Sequence, residues 1–303
     1  MQETVKDTDV ISWLAGFFDA EGCARIKRCI RKGGYTTYSP SIILNNTDLC
    51  VMDFCDTLLR NRGINTYVRT SKPTTNRKPI RYIEVNRITK IIGLCNLLLP
   101  YSINKHDELL LLKQFCESRS NRFINSGVKN KQVPYNKFEI SLYDKVKLYK
   151  AHKKGRSCLF YTPMFIDTPN NITNSWFAGY IDGDGSFCVN KSGSASFDVA
   201  TTNPTTANLL SEFFVANHIS YYYYSVLPSK NHLECCKLRI HKYFVHDVKD
   251  INKIIRMTEK YLVSKFDISK CMYEYCNLRK EHKYKNRTKY EIKLGNDIRS
   301  MTL

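Results

Sequence analysis

Four acids, set in two pairs with one spacing, are the residues of this chain best placed to do chemistry. Asp19 and Glu21 close one short apolar segment, and Asp182 and Asp184 close another. The two segments match position by position in residue type: WLAGFFDAEGC at 13–23 and WFAGYIDGDGS at 176–186. In the first, Val10, Trp13, Leu14, Phe17 and Phe18 recur at helical spacing, which predicts a helix with a core-facing stripe. The acids then fall at the C-terminal end of that helix, where the backbone dipole is already negative. The opposite face holds small residues four apart, Gly16 and Ala20 in the first copy, Gly179 and Gly183 in the second. Small residues at that spacing let two backbones approach closely, so the two motif helices are expected to pack on each other. Their ends would bring four carboxylates together, a repulsion that persists only with a compensating cation. Such oxygen ligands, with the Ala20 and Gly183 carbonyls and retained water, suit Mg²⁺ or Mn²⁺. Capping or loop roles account for Asp19 and Asp182 alone; they do not account for Glu21 and Asp184.

The elements that position these acids are themselves repeated. LLLPYSINKHDELLLL (97–112) has a counterpart in TEKYLVSKFDISKCMY (258–273), and RNRGIN (60–65) has one in VANHIS (215–220). Paired positions are offset by 163 (Glu21 to Asp184), 155 (Gly63 to His218) and 160 (Lys105 to Lys265), so the halves differ only by small loop insertions. Self-similarity of this length means two copies of one structural unit. In the first half a helix is expected from about Val10 to Ala20, then strands near 22–31 and 35–45 joined by RKGG. Asp48 reads as the N-cap of a helix at 49–62 that stops at Gly63. Strands near 65–71 and 80–86 follow, then helices near 88–98 and 105–118. The second half gives a helix at 173–183, strands at 186–191 and 195–202, a helix at 205–217, strands at 220–227 and 234–240, and helices at 244–257 and 264–280. The fold class is α+β, written αββαββα twice. The expected division is a first domain at 1–118, a linker with one helix at 119–172, a second domain at 173–280 and a basic extension without strong periodicity at 281–303.

Of 303 residues, 47 are Lys or Arg against 28 acids, a net charge of +19. Charge of that size favours a polyanionic partner, nucleic acid above all. The longest apolar run, IIGLCNLLLP (91–100), falls short of the roughly 20 residues that span a bilayer, and the polar start predicts no leader sequence. Twelve cysteines form no CxxC pair and lie mostly in apolar-periodic segments (Cys50, Cys55, Cys95, Cys116, Cys271, Cys276), which predicts buried reduced thiols in an intracellular protein. Adjacent Cys235 and Cys236, and the pair His241 and His246, have no metal-ligand spacing.

On LAGFFDAEG (14–22) and FAGYIDGDG (177–185), the chain resembles the LAGLIDADG homing endonucleases in their single-chain, two-repeat form. Glu in place of Asp in the first motif and Phe in place of Leu in the second are mild departures. The resemblance covers both halves and the LLLPYSINK-type segment, and weakens in the linker and the tail. It implies two pseudo-symmetric domains with saddle-shaped antiparallel sheets. It also implies a monomeric, magnesium-dependent enzyme that makes double-strand breaks in a long DNA target. Glu21 and Asp184 would bind metal, and Lys105 and Lys265 would organise solvent or neutralise charge developing on the phosphate. Lys260 stands where the first half has Pro100, so the backbone differs there. Each strand would be cut by metal-activated water across the minor groove, leaving short 3′ overhangs. Relatives on this fold include intron RNA maturases and catalytically silent DNA-binding proteins; the presence of both acids favours cleavage. The expected setting is a mitochondrion or chloroplast, otherwise a bacterial or phage cytoplasm. With no Cys or Ser at the start and no His-Asn at the end, an intein is not expected.

The reading surface follows the acids directly. In CARIKRCIR (23–31), Ala24, Ile26 and Ile30 fall on one side of a strand, and Arg25, Lys27, Cys29 and Arg31 on the other. A basic strand face suits the major groove, which admits a β-ribbon and where Arg reads guanine. Arg69 adds charge in the first half; Lys237 and Arg239 add it in the second, where the corresponding face carries Cys188, Asn190 and Ser192. Faces of such different chemistry imply an asymmetric double-stranded DNA site.

Overall fold

The computed structural model describes residues 5–73, 78–126, 133–153, 169–227, 238–282 and 286–302. The motif helix α1 (Asp7–Glu21) leads into β1 (Gly22–Ile30), which turns back through Arg31–Tyr35 into β2 (Thr36–Asn46). Gly33 sits in that turn at φ +98, a region that disfavours any side chain. Asp48 caps α2 (Leu49–Asn61), its carboxylate accepting from the Cys50 and Val51 N–H groups at 2.9 and 3.3 Å. Gly63, at φ +69, ends it as the sequence predicts. Then come β3 (Tyr67–Thr70), β4 (Arg81–Val85), α3 (Ile88–Leu98), α4 (His106–Ser126) and α5 (Lys137–Lys153). The second copy runs α6 (Asn174–Asp184), β5 (Gly185–Val189), β6 (Ala195–Thr201), α7 (Pro204–Ala216), β7 (Tyr222–Val226), β8 (Ile240–Val245), α8 (Val248–Thr258), α9 (Phe266–Glu281) and α10 (Lys289–Thr302).

Two compact units result. One contains β1–β4 and α2–α5; the other contains β5–β8 and α6–α10, together with α1 as far as Ala20. Each unit has one antiparallel sheet, ordered β1-β2-β4-β3 and β5-β6-β8-β7. One face of each sheet is core. Ala24, Ile26, Ile42, Leu44, Ile83 and Val85 are buried in the first, and Phe187, Val189, Phe197, Val199, Tyr243 and Val245 in the second. Among the described residues, no helix is long and apolar enough to cross a membrane.

The structure departs from the sequence reading in several places. Ile30, expected in the core, is 70% exposed, because the β1–β2 hairpin runs past the helices that cover its base. Arg31, Asn190 and Ser192 lie in turns beyond the strands. The strand expected at 234–240 is β8 at Ile240–Val245, where Tyr243 and Val245 supply the inward alternation. Helix α8 accordingly starts four residues late, capped by Asp247. Residues 234–237 of the expected strand, including Lys237, Cys235 and Cys236, lie outside the described residues. Cys55, Cys95, Cys116 and Cys276 are buried free thiols, but Cys50 is exposed and Cys271 half-buried. Burial pushes the Cys95 thiol up to about 12.

The linker helix and the tail are counterparts. Each is a helix opened by a capping box. In α5, Glu139 N–H donates to Asn136 Oδ1 (2.7 Å) while Asn136 N–H donates to Glu139 Oε2 (3.1 Å). In α10, Glu291 N–H donates to Thr288 Oγ1 (3.1 Å) and Thr288 N–H to Glu291 Oε2 (2.6 Å). Both glutamates are fully buried, Glu139 against Arg119 and Arg122, and Glu291 against Arg279 and His282. Helix α5 packs on α4 and β1, and α10 packs on α9 and β5. With all its helices the repeat is αββαββααα; the seven-element form stops two short.

Candidate functional site

The two motif helices meet through glycine. A Cβ built on Gly16 would fall inside the Trp176 carbonyl group, and one built on Gly179 inside that of Trp13. Backbone contact of this kind excludes every residue but glycine at both positions. Two buried hydrogen bonds then tie the helices reciprocally. Trp13 Nε1–H donates to Asp182 Oδ2 at 2.9 Å, and Trp176 Nε1–H donates to Asp19 Oδ2 at 3.1 Å. A buried indole requires an acceptor, and each motif supplies the acceptor for the other's donor. Across the N-terminal ends, Ser12 and Thr173 hydroxyls pair at 2.8 Å.

This arrangement corrects the expectation of four converging carboxylates. Asp19 and Asp182 are almost wholly buried and act as acceptors within the helix pair. Asp182 also accepts the Val263 N–H at 2.9 Å and the Lys265 N–H at 2.8 Å. Burial pushes its carboxyl up from the usual range, and these donors pull it back only in part. The remaining acid of each motif has a different environment. Asp184 is exposed at the end of α6. Glu21 is half-buried at the end of α1, with Asn46 Nδ2 donating to its Oε1 at 3.0 Å and holding it in one orientation.

Lys265 is built around the end of α6. Its ammonium donates to the carbonyls of Ile181, Asp182 and Gly185, the last two flanking Asp184 in sequence. A cation there offsets the negative end of the helix dipole. Lys105 holds the matching place in the first repeat, half-buried, one residue before α4. Ala20 and Gly183 immediately precede Glu21 and Asp184 in the last turns of their helices. Among the described residues, no three His, Cys, Asp or Glu side chains cluster as a metal cage. One carboxylate per repeat, with backbone oxygens nearby in sequence, instead fits Mg²⁺, which keeps most of its water and takes further oxygens from a phosphate.

Strand register defines the sheet face opposite each core. In the first unit it carries Arg25, Lys27, Ser39, Ser41, Asn45, Tyr67, Arg69, Tyr82 and Glu84. Arg25 Nε donates to Ser41 Oγ (3.1 Å), and its Nη2 lies 3.5 Å from Glu84 Oε1. The Arg69 guanidinium lies over the Tyr82 ring at 4.5 Å. Lys27 is exposed on the same face, and Arg31 lies in the hairpin turn. In the second unit the face carries Ser186, Cys188, Ser196, Asp198, Tyr222, Tyr224, Lys242 and Phe244. Asn190 and Ser192 bond each other at 2.6 Å in the β5–β6 turn. The Arg299 guanidinium of α10 braces that turn from the Asn190 carbonyl at 2.9 Å. Arg239 precedes β8 and donates to the Ser225 carbonyl at 3.4 Å. The sequence reading did not identify Ser41, Tyr82, Glu84, Lys242 or Phe244; period-two alternation in β2, β4 and β8 is the signal that finds them.

The family model for a LAGLIDADG-like domain matches residues 9–98. No curated protein matches the sequence. Among solved structures, the LAGLIDADG homing endonuclease I-GzeII in complex with its DNA target is similar at a TM-score of 0.67 and 18% identity, over 96% of this chain and 97% of that one. The meganuclease I-SmaMI bound to uncleaveable DNA is similar at 0.63 and 16%, over 96% of each chain. I-SmaMI bound to an uncleaved DNA target in the presence of calcium ions is similar at 0.62 and 15%, over 96% of this chain and 97% of that one. At such identities the likeness establishes the fold.

Proposed function

We propose, for a chain whose residues 9–98 match a LAGLIDADG-like domain and whose fold is that of the single-chain LAGLIDADG homing endonucleases, that it is a site-specific DNA endonuclease making double-strand breaks in a long asymmetric target. The observation that carries this reading is the division of labour among the motif acids. Asp19 and Asp182 are spent on the reciprocal indole bonds, which leaves Glu21 and Asp184, one acid per repeat, for chemistry. Both are present, which favours cleavage over an RNA maturase or a silent DNA-binding role.

Each repeat grips one half of a duplex through its open sheet face, and the +19 charge draws the polyanion in. Glu21 and Asp184, with the Ala20 and Gly183 carbonyls, would hold Mg²⁺ or Mn²⁺. A divalent cation there supplies Lewis acidity toward the phosphate and lowers the pKa of bound water. Asn46 keeps the Glu21 carboxylate oriented. Lys265 fixes the backbone on both sides of Asp184 and places a positive charge beside it, where it counters charge developing on the phosphoryl oxygens. Lys105 serves the first repeat in the same way. Staggered cuts leave short 3′ overhangs.

The test is incubation of the protein with plasmids carrying random inserts, with Mg²⁺ and with a chelator. Linearisation of a subset sharing one long sequence, only with the metal, is expected. Failure to linearise any plasmid in any divalent cation, or ends without common sequence, overturns the proposal.

A further inference from the structure

The two sheets differ at matched positions in a way that bears on what each one reads. Register aligns Arg25, Arg69, Glu84 and Asn86 of the first repeat with Cys188, Tyr224, Phe244 and His246 of the second. Tyr67 aligns with Tyr222 and is kept. Charged and amide groups are thus replaced by rings and a thiol. Tyr222 and Tyr224 are 69% and 43% exposed on the β7 edge, so a continuous aromatic surface faces outward. An exposed apolar surface of this kind, on a face otherwise built for a polyanion, marks a contact site.

Ring geometry restricts what that surface can take. Tyr224 and Phe244 stack at 5.4 Å and 8°, and Phe244 and His246 stack at 6.1 Å and 20°. Tyr222 leans on His246 at 5.6 Å. Tyr224, Phe244 and His246 have their faces turned to one another, so they are not free platforms for splayed single-stranded bases, which need an open π-face. What the stacked rings leave for contact is their edges: ring C–H groups, with a hydroxyl at the tip of each tyrosine. In the major groove the one apolar group on a base pair is the thymine C5-methyl. Lys242, whose ammonium lies 6.0 Å from the Tyr224 ring centre, stands in the same surface to hold it against the backbone.

We propose that the second-repeat sheet recognises thymine methyl groups through Tyr222, Tyr224 and Phe244, so that the half-site it covers is A·T-rich while the Arg25 and Arg69 sheet reads guanine. This rests on the endonuclease reading and names the base chemistry of its two half-sites.

The experiment starts from duplexes enriched from a randomised pool by the wild-type protein. Each thymidine of the enriched sequence is then replaced in turn by deoxyuridine, which keeps every hydrogen-bonding group and removes only the methyl. Affinity is measured for wild type and for the Tyr224→Ser/Phe244→Ser double variant. The relevant half-site is the one whose base preference survives Arg25→Ala. There, deoxyuridine is expected to weaken wild-type binding roughly fourfold per buried methyl, and the double variant should no longer distinguish the two bases. The deoxyuridine series needs no altered protein, so it decides the matter even if the double variant does not fold. An enriched duplex that tolerates deoxyuridine throughout that half-site, or a G·C-rich half-site there, overturns the inference and leaves the endonuclease reading standing. A pool yielding no enriched duplex, or only single strands, sinks both.

Discussion

Substituting Gly179 by alanine adds one methyl group and should cost about as much as truncating a core leucine. The new Cβ would enter the Trp13 carbonyl group and lie 2.8 Å from the Phe17 nitrogen. Both neighbours are backbone within α1, so no side-chain rotation relieves the overlap, and the helices must separate. Separation stretches the two indole–carboxylate bonds, each a hydrogen bond to a charged or potentially charged group. Overpacking alone costs about 1–3 kcal/mol, and weakened bonds place this case at about 3 kcal/mol. Gly93, inside α3, is the matched control: a Cβ there meets nothing within 4 Å. Gly93→Ala should stabilise by about 0.5–1 kcal/mol, the usual helix-interior difference. The same chemical change thus has opposite signs, about 4 kcal/mol apart. Urea unfolding followed by tryptophan fluorescence reads the contact directly, because Trp13 and Trp176 are the chain's two tryptophans and both lie in it. A Gly179→Ala midpoint equal to wild type, or an equal loss in Gly93→Ala, would refute the backbone contact.

Arg25→Ala should relax base preference at one or two positions of a single half-site, by about 1–3 kcal/mol; cleavage profiled over every single-base variant checks it, and a uniform loss over both half-sites would mean a phosphate contact instead. Glu291 tests the place of α10 by pH. Burial pushes its carboxyl up, but donation from Thr288 and Arg279 outweighs that and holds it below its usual value. A lowered folded-state pKa stabilises fully above the unfolded value and is lost as pH falls through the folded one. Glu291→Gln should therefore lower the thermal midpoint near neutrality and flatten its decline below about pH 4.5, and an unchanged acid limb would contradict the buried ion cluster.

What the sequence disclosed, and what it withheld, follows from the range of the forces involved. Duplicated motifs, the Asp48 cap and the Gly63 stop are local signals, and they place most elements to within a residue or two. The close helix contact was legible because only Gly16 and Gly179 tolerate it, and it was written twice. The partners of Asp19 and Asp182 were not legible: Trp13 and Trp176 read as core residues, and their N–H groups find acceptors some 160 residues away. Helix α10 was missed for a related reason. Its buried surface is narrow, resting on Leu294, Ile298 and a buried glutamate, which reads as polar in sequence. Comparing the Asn136–Glu139 box with Thr288–Glu291 would have found it. The strand expected at 234–240 was placed too early, and pairing with β6 and β7 sets β8 at Ile240–Val245.

The central claim is that Glu21 and Asp184 do the chemistry while Asp19 and Asp182 hold the helices together. Glu21→Gln and Asp184→Asn change charge with little change of shape, and Asp184 is exposed, so neither should disturb the fold. The decisive measurement is Mg²⁺-dependent cleavage of a selected duplex by each variant, beside its affinity for the same duplex. Both variants should lose double-strand cleavage, with affinity close to wild type. Cleavage of both strands at the wild-type rate by either variant would contradict that claim.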